Sequence, residues 1–257
     1  MPGPLFTLTT DFGAGSGYPA QMKGVLLSAF PDARLVDVSH EVPRFDVLAG
    51  ALLLEACVPW FALDAVHVAV VDPGVGTARR ALCVVDAEGR RLIGPDNGLL
   101  TPFLGPGAHA RAIAPGAAVA APRSATFHGR DLFAPAAAFV AGGGAVERLG
   151  PEVDDPVRLG WPAAARHGGE VLGETLAADP FGNLITAIRE SDLGGAPVAR
   201  AFVAGQPVRF ARTFGEVAPG ELVAYVGSGG RVEVAVREGS AAARLGIRGT
   251  PVRLVFE

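Results

Sequence analysis

Two aspartates stand where an open α/β sheet would bind a ligand. Asp11 follows the predicted strand Leu5–Thr10, Asp72 follows the predicted strand Ala65–Val71, and each is followed by a glycine-containing turn. Ligands of such sheets bind outside the carboxyl ends of the strands, where bare glycine backbone can approach them closely. We therefore predict that both carboxylates line one binding edge. The alternative is that each aspartate only caps a turn or the helix that follows.

Two further polar residues can join these carboxylates. Arg79 comes seven residues after Asp72, and His128 lies in the segment Thr-Phe-His-Gly-Arg-Asp, a loop directly before a predicted helix. A histidine among glycine and charged residues is free to face a cleft, whereas His67 lies inside an apolar strand and is expected in the core. A metal site made of Asp11, Asp72 and His128 is conceivable, although no short His/Asp spacing supports it.

Signatures of several other enzyme classes are missing. The sequence contains no G-x-S-x-G, H-E-x-x-H, P-loop or paired CxxC motif, and the glycines at 13, 15 and 17 are off-register for a dinucleotide-binding fingerprint. In the second half, residues 179–183 and 227–230 suit turns. An Asn beside an aromatic residue can also pair with a purine edge while the ring stacks on the base.

The first part of the chain alternates strand and helix patterns, which predicts a mostly parallel sheet flanked by helices. A β-hairpin pattern follows, and then a helix that ends at three glycines. The predicted strands are Leu5–Thr10, Arg34–Val38, Ala65–Val71, Ala81–Asp86 and Arg91–Ile93, and the predicted helices are Pro19–Phe30, Asp46–Cys57 and Leu132–Val140.

The composition changes at 151–169, a segment rich in Pro, Gly and Ala that is typical of a connector. Short alternating runs separated by turn residues follow, as in a small antiparallel barrel or sandwich. The runs are Glu170–Ala177, Asn183–Ile188, Ala201–Val203, Leu222–Val226, Arg231–Arg237 and Pro251–Phe256. We predict an α/β domain over 1–165 and a smaller all-β, barrel-like domain over 166–257.

Composition limits the partners. The chain has 257 residues, 49% of them apolar, and a net charge of −4, which suits a packed core and argues against nucleic acid or an anionic membrane as partner. The apolar stretch Val47–Leu63 is interrupted by Glu55 and Pro59, so no membrane span is expected. No signal peptide is apparent. Cys57 and Cys83 are expected to be buried thiols, and the protein cytoplasmic.

Seven segments, in consistent order along the chain, resemble the S-adenosyl-L-methionine (SAM) hydroxide adenosyltransferases. These are SAM hydrolases that form adenosine, and they are relatives of fluorinating and chlorinating enzymes. The segments are LTTDFG (8–13), MKGVLLSAFPDARLVDVSHEVPRFD (22–46), VVDPGVGTARR (70–80), GPDNGLL (94–100), TFHGRDLFAP (126–135), FGNLIT (181–186) and GSAA (239–242).

The resemblance implies an N-terminal α/β domain, a C-terminal β-barrel and a homotrimer, with SAM bound between the N-terminal domain of one subunit and the C-terminal domain of its neighbour. It implies no cofactor and no metal. The family residues that handle water fall on Asp72, Arg79 and His128, and the carboxylate that holds the ribose hydroxyls falls on Asp11. The residues around adenine and the methionine end correspond to Phe45, Asp179, Phe181, Asn183 and Ser228.

The implied reaction is displacement of the methionine thioether from the C5′ carbon by water. The leaving group is neutral and needs no proton, so the protein has only to orient and activate the nucleophile. By the same resemblance, Asp72 stands where the halogenating relatives carry a neutral residue. A halide about 4 Å from an ionised carboxylate would be repelled by roughly 4 kcal/mol at an effective dielectric constant of 20. Water is therefore the expected nucleophile.

Some positions depart from the family pattern, and other functions stay open. Ser16, Arg231 and Arg237 replace an acidic residue, an aromatic residue and an Asn. Arg231 can pair with the substrate carboxylate or with a surface acid, and we favour the surface. A metal-dependent nucleosidase is an alternative, but it would need clustered aspartates where residues 1–30 hold only Asp11. A non-catalytic SAM- or adenosine-binding protein is the other alternative, although such a protein would not need the three water-handling residues together.

Overall fold

In a computed structural model of the chain, residues 3–161 and 163–257 are described. They divide into two compact units, one ending at Leu159 and one beginning at Gly160. The predicted fold class is confirmed: the first unit is α/β and the second, smaller one is a closed β-barrel.

The first unit is built on a mixed sheet with the strand order β2-β1-β3-β5-β4-β6. Strands β2, β1, β3 and β5 run parallel, and β4 runs antiparallel to both β5 and β6, so the predicted hairpin is present. The strands are β1 (Leu5–Thr10), β2 (Arg34–Ser39), β3 (Val66–Val70), β4 (Ala81–Val85), β5 (Arg91–Pro95) and β6 (His109–Ala112).

Helices cover both faces of this sheet, because its central strands are apolar on both sides. Two of them, α1 (Tyr18–Ala29) and α3 (Ala134–Ala141), pack with Phe6 and Leu8 of β1 on one face. On the other face, α2 (Val47–Cys57) packs Leu54 against Val84 and Leu92. The helix α2 begins after Asp46, whose side chain accepts a hydrogen bond of 3.0 Å from the backbone N–H of Ala49.

A π-helical turn, Gly129–Phe133, directly precedes α3, so the helical segment begins three residues before the predicted start. Single π-helical turns inside helical segments are frequent at functional sites. Short 3₁₀ turns lie at Val58–Trp60, Thr101–Phe103 and Val146–Leu149.

The second unit closes into a barrel with the strand order β14-β10-β11-β12-β13-β9-β8, because β8 pairs with β14 as well as with β9. Its strands are β7 (Ala165–His167), β8 (Glu170–Ala178), β9 (Leu184–Arg189), β10 (Val198–Val203), β11 (Gln206–Phe210), β12 (Leu222–Val226), β13 (Arg231–Val236) and β14 (Pro251–Phe256). Two short helices, α4 (Glu190–Leu193) and α5 (Ala241–Leu245), connect strands, and a 3₁₀ turn lies at Phe214–Glu216.

The surface position expected for Arg231 is wrong. The residue is 4% exposed, and its Nη1 donates hydrogen bonds of 3.2 Å to the backbone carbonyls of Thr186 and Ala187. Its guanidinium also lies 5.2 Å from the ring of Trp161. Burial is possible because carbonyl oxygens and an aromatic face replace the water that an arginine normally requires.

The thiols of Cys57 and Cys83 are free; Cys83 is buried as expected, but Cys57 is only half-buried. Burial raises the pKa of the Cys83 thiol to about 12. Across residues 3–161 and 163–257, no helix has the length and apolar character needed to cross a membrane.

Candidate functional site

A cavity of about 410 Å³ opens at the edge of the first unit where β1 and β3 end. Asp11 and Asp72, which follow these two parallel strands, both line it, as does His128. The adjacent strand ends bring the two carboxylates to one cavity because β1 and β3 run side by side in the same direction.

Three side chains from two loops are bonded to one another at the edge of this cavity. Arg79 Nε donates a hydrogen bond of 2.9 Å to Asp72 Oδ1, and Arg79 Nη2 donates to Asp72 Oδ2. The same Nη2 lies 3.0 Å from His128 Nδ1. The Asp72 and Arg79 side chains are 4% and 9% exposed, so this two-pronged ion pair is shielded from water. The guanidinium also lies 5.2 Å from the ring of Phe133.

The contact between Arg79 and His128 defines the proton position on the imidazole. A guanidinium has only N–H donors, so His128 Nδ1 must accept, and the neutral ring then carries its proton on Nε2. Burial and the Arg79 charge lower the pKa of His128, while Asp72 and Asp131 act in the opposite direction. The arrangement therefore favours a neutral imidazole whose Nε2–H is a donor.

The chain between Asp72 and Arg79 is shaped by local hydrogen bonds. Thr77 Oγ1 donates to the carbonyl of Gly74 at 2.7 Å and accepts from the N–H of Arg79 at 3.3 Å. Gly76 has a φ of +78°, and a Cβ there would lie 2.9 Å from the carbonyl oxygen of Ala125. A glycine is needed because the segment leading to His128 passes directly over this turn.

Asp11 faces the same cavity and is tied to the loop before α2. Its Oδ2 accepts a hydrogen bond of 2.9 Å from the N–H of Phe45. Phe45 has a φ of +64° and a side chain 67% exposed, and it too lines the cavity. A non-glycine residue in this conformation is uncommon and is typical of functional loops. The pair presents a carboxylate beside an exposed aromatic ring.

A group of three aromatic side chains in the cavity was not predicted from the sequence. The rings of Phe12, Tyr18 and Phe127 line it, with centroid distances of 5.0 to 5.8 Å between them. Phe12 and Phe127 directly adjoin Asp11 and His128 in the chain, and this adjacency was the signal available. Arg44 also lines the cavity, and it was not predicted.

In the second unit, the predicted residues of 179–183 form one tight turn between β8 and β9. Asp179 Oδ1 accepts from the N–H groups of Phe181 and Asn183 at 2.9 and 2.8 Å, and Oδ2 accepts from the Asn183 side-chain amide at 2.8 Å. The Phe181 side chain is 80% exposed. The turn is thus stabilised by its own hydrogen bonds, and it exposes the Phe181 ring to solvent.

Ser228 lies in the turn between β12 and β13, next to a half-buried acid, Glu233. Tyr225 donates a hydrogen bond of 3.0 Å to Glu233, and a Cβ at Gly227 would overlap the Glu233 carboxylate. Burial and the nearby Asp179 charge raise the pKa of Glu233, and the Tyr225 hydrogen bond opposes the shift.

The first unit therefore brings Asp11, Phe45, Asp72 and His128 together at one cavity, and Arg79 contacts both Asp72 and His128. In the second unit, Asp179, Phe181 and Asn183 share one turn, and Ser228 lies in another. Over 3–161 and 163–257, no cluster of three or more His, Cys, Asp or Glu side chains is arranged to hold a metal ion.

Residues 6–150 match the family model of the SAM hydroxide adenosyltransferase N-terminal domain, and residues 173–252 match that of the C-terminal domain. The chain belongs to the SAM hydroxide adenosyltransferase family. Both expected domains of the family are thus present, in the order in which the resemblance places them.

Relatives cover nearly the whole chain. A Thermus thermophilus protein named (R)-S-adenosyl-L-methionine hydrolase is 45% identical over 266 residues, which cover 98% of this chain and 99% of the relative. A Salinispora tropica protein of the same name is 44% identical over 252 residues, covering 96% and 95%. The crystal structure of an uncharacterized conserved protein from Thermotoga maritima superposes with a TM-score of 0.86 at 31% identity, covering 98% and 99%.

Proposed function

We propose that this member of the family hydrolyses SAM to adenosine and L-methionine by in-line attack of water on C5′. The observation that carries the proposal is that Arg79 contacts both Asp72 and His128, and that these two residues line one cavity. A second support is the name (R)-S-adenosyl-L-methionine hydrolase, borne by relatives at 44% and 45% identity.

In the proposed reaction, the water oxygen forms the new bond to C5′ as the bond between C5′ and sulfur breaks. The sulfur keeps the electron pair and leaves as a neutral thioether, so no acid is required on that side. The positive charge of the sulfonium disappears as the nucleophile loses a proton. A cavity with little water favours a step in which opposite charges are neutralised.

We propose a different role for each of the three residues. His128 Nε2–H donates to the water oxygen, because Nδ1 is occupied by Arg79. Asp72 accepts the water proton through a remaining lone pair of its carboxylate. Arg79 holds both partners in place through its two-pronged contact with Asp72 and its contact with His128. The proton then passes to solvent.

Substrate binding extends this proposal to the other predicted residues. Asp11 holds the ribose hydroxyls, with Phe45 beside it, and Asp179, Phe181, Asn183 and Ser228 contact adenine and the methionine end. We propose a homotrimer in which a neighbouring subunit supplies the latter four. The exposed rings of Phe45 and Phe181 support this assembly, because exposed aromatic side chains are typical of binding surfaces. Size-exclusion chromatography with light scattering tests the trimer.

The experiment that tests the reaction incubates the purified protein with the (R) and (S) sulfonium epimers of SAM separately, in water enriched in ¹⁸O. We expect adenosine with the label in its 5′ hydroxyl, produced in the presence of EDTA as well as without it. The (R) epimer is expected to be accepted, given the names of the relatives.

Each alternative function predicts another outcome of that experiment. Release of free adenine or a requirement for a divalent ion would indicate a nucleosidase. Binding of SAM without any product would indicate a binding protein. Addition of fluoride or chloride should yield no 5′-halogenated nucleoside, because the Asp72 carboxylate repels an anion at the nucleophile position.

A further inference from the structure

His40 is a buried histidine outside the three proposed catalytic residues. It directly follows β2 and is 7% exposed. Its Nδ1 lies 2.9 Å from the hydroxyl of Thr10, and its Nε2 lies 3.1 Å from Asp37 Oδ1. Lys23 Nζ donates to the other oxygen of Asp37 at 2.6 Å. A chain of polar contacts thus runs from the surface to the end of β1.

At the inner end of this series of contacts, hydrogen bonds hold the chain on both sides of Asp11. The Thr10 hydroxyl accepts a hydrogen bond of 3.3 Å from the N–H of Phe12. The backbone carbonyl of His40 accepts one of 2.7 Å from Gly13, and the carbonyl of Thr10 accepts one of 3.3 Å from Val42. His40 therefore restrains both ends of the short loop between β1 and the cavity.

The hydrogen-bond directions at Thr10 are consistent with one another. The Asp37 carboxylate only accepts, so Nε2 of a neutral His40 carries the proton and Nδ1 accepts from the Thr10 hydroxyl. The Thr10 oxygen then keeps a lone pair for the N–H of Phe12. The Thr10 hydroxyl thus bonds both His40 and the N–H of Phe12, which restricts the backbone of Thr10.

We infer that His40 is a positioning residue for the ribose: through Thr10 it orients Asp11 so that the carboxylate can bind the two ribose hydroxyls. This inference rests on the proposed function, in which Asp11 binds the ribose. A carboxylate binds a vicinal diol well only when both oxygens face it, so freedom in the loop lowers affinity. The reacting atoms are held by other residues. Loss of the His40 contact should therefore raise KM and leave kcat nearly unchanged.

A second histidine of the same sheet provides a matched control. His67 Nδ1 lies 2.8 Å from the hydroxyl of Thr7, which is also in β1, and His67 is fully buried. Thr7 lies in the middle of the strand rather than at its end. His67 has the same kind of partner, but Thr7 is four residues from Asp11, whereas Thr10 directly precedes it.

The experiment measures the affinity of the full-length protein for adenosine and for 2′,3′-dideoxyadenosine, together with KM and kcat for SAM. We expect His40→Ala to weaken adenosine binding about 5- to 20-fold, with little change for the dideoxy ligand, and to raise KM by a similar factor. His67→Ala should lower the melting temperature without changing either affinity. In an Asp11→Ala background, His40→Ala should have no further effect on adenosine.

Two conservative variants keep the test decisive if His40→Ala does not fold. His40→Asn retains a polar atom near Nδ1 and should keep near-normal adenosine affinity, whereas His40→Gln reaches toward Asp37 and should weaken it. Equal affinities of these two variants, equal losses for both nucleosides, or a wild-type protein that does not bind adenosine would overturn the inference. The variants could show the expected differences in adenosine affinity while the protein fails to hydrolyse SAM. That result would leave the role of His40 intact and would reject the proposed reaction.

Discussion

The cavity of the first unit and the 179–183 turn of the second differ in how far apart in the chain their bonded polar groups lie. At the cavity, Asp72 and Arg79 come from one loop and His128 from another, and the contact between Arg79 and His128 spans 49 residues of chain. In the turn, Asp179 and Asn183 bond within five residues of chain. The cavity depends on the whole unit, whereas the turn is a local structure.

The two regions also differ in how far their side chains are exposed to solvent. The side chains of Asp72 and Arg79 are 4% and 9% exposed, whereas that of Phe181 is 80% exposed. Charges act more strongly where water is excluded, so the cavity suits a step in which charge moves. A rigid turn with an exposed ring suits recognition of a flat ligand, since stacking needs surface rather than enclosure. We therefore expect substitutions at the cavity to lower kcat and substitutions at the turn to lower affinity.

Asp72→Asn should have the largest effect. The variant keeps the shape of the side chain but removes the proton acceptor, and it offers Arg79 only one oxygen. We expect kcat for SAM to fall by about 10²- to 10⁴-fold, while the Kd for adenosine changes less than about threefold. Single-turnover kinetics and calorimetry measure the two quantities. An unchanged rate would remove Asp72 from the mechanism.

Asp96→Asn is the matched control for that variant. Asp96 accepts a hydrogen bond of 2.6 Å from Arg80, the residue next to Arg79, and its side chain is 1% exposed. It does not line the cavity. Both variants disrupt a buried carboxylate bonded to an arginine, so both should lose thermal stability, but only Asp72→Asn should lose turnover.

Gly182→Ala should have an intermediate effect, on binding. Gly182 has a φ of +83°, and a Cβ there would overlap Ser240, whose hydroxyl caps α5 by accepting from Ala243 at 3.1 Å. The turn must move to accommodate the methyl group. We expect adenosine affinity to fall about tenfold, with kcat at saturating SAM nearly unchanged. Isothermal titration calorimetry and steady-state kinetics measure both.

Gly246→Ala separates the clash from backbone strain. Gly246 has nearly the same φ, +82°, but nothing lies within 4 Å of the added methyl group. Both variants place alanine at a positive φ, a backbone conformation that L residues rarely adopt. Only Gly182→Ala should lose affinity. Equal losses in both would show that the second unit responds to strain in general and that the 179–183 turn has no special part in binding.

The strands that were predicted best are those with clear apolar patterns. The predicted and observed bounds agree for β1, β12 and β14. The strands β6 and β7 were not predicted because they are short and carry His and Arg, and their pairing depends on neighbouring strands. The strand β11 was missed because it contains Pro207, a residue that usually argues against a strand.

The candidate site likewise has a part that could be predicted from the sequence and a part that could not. Asp11 and Asp72 could be placed at one edge because the carboxyl ends of neighbouring parallel strands meet there. The buried position of Arg231 could not be predicted, since its partner ring, Trp161, lies 70 residues earlier in the chain. The convergence of Asp72, Arg79 and His128 is now a geometric fact, whereas their roles in the reaction stay predictions.

The smallest expected effect is a change in pH dependence at the cavity. Burial and Arg79 hold the pKa of His128 below its usual 6.5. Protonation would occur at Nδ1, break the contact with Arg79 and place two cations side by side. The rate should therefore be lost as pH falls through the lowered pKa of His128, so the acid limb of kcat/KM lies below pH 6.5.

Removing the charge of Asp131 should shift the acid limb of the pH profile further, in a direction that can be predicted. The Asp131 carboxylate raises the pKa of His128, so Asp131→Asn makes protonation harder and should move the acid limb toward lower pH. Asp155→Asn removes an equal charge that is bonded to Arg80 outside the cavity, and it should leave the limb in place. A shift toward higher pH in Asp131→Asn would show that the limb belongs to a group other than His128. The hydrogen-bond donor to the water oxygen would then have to be sought on another side chain, while Asp72 keeps its proposed role as proton acceptor.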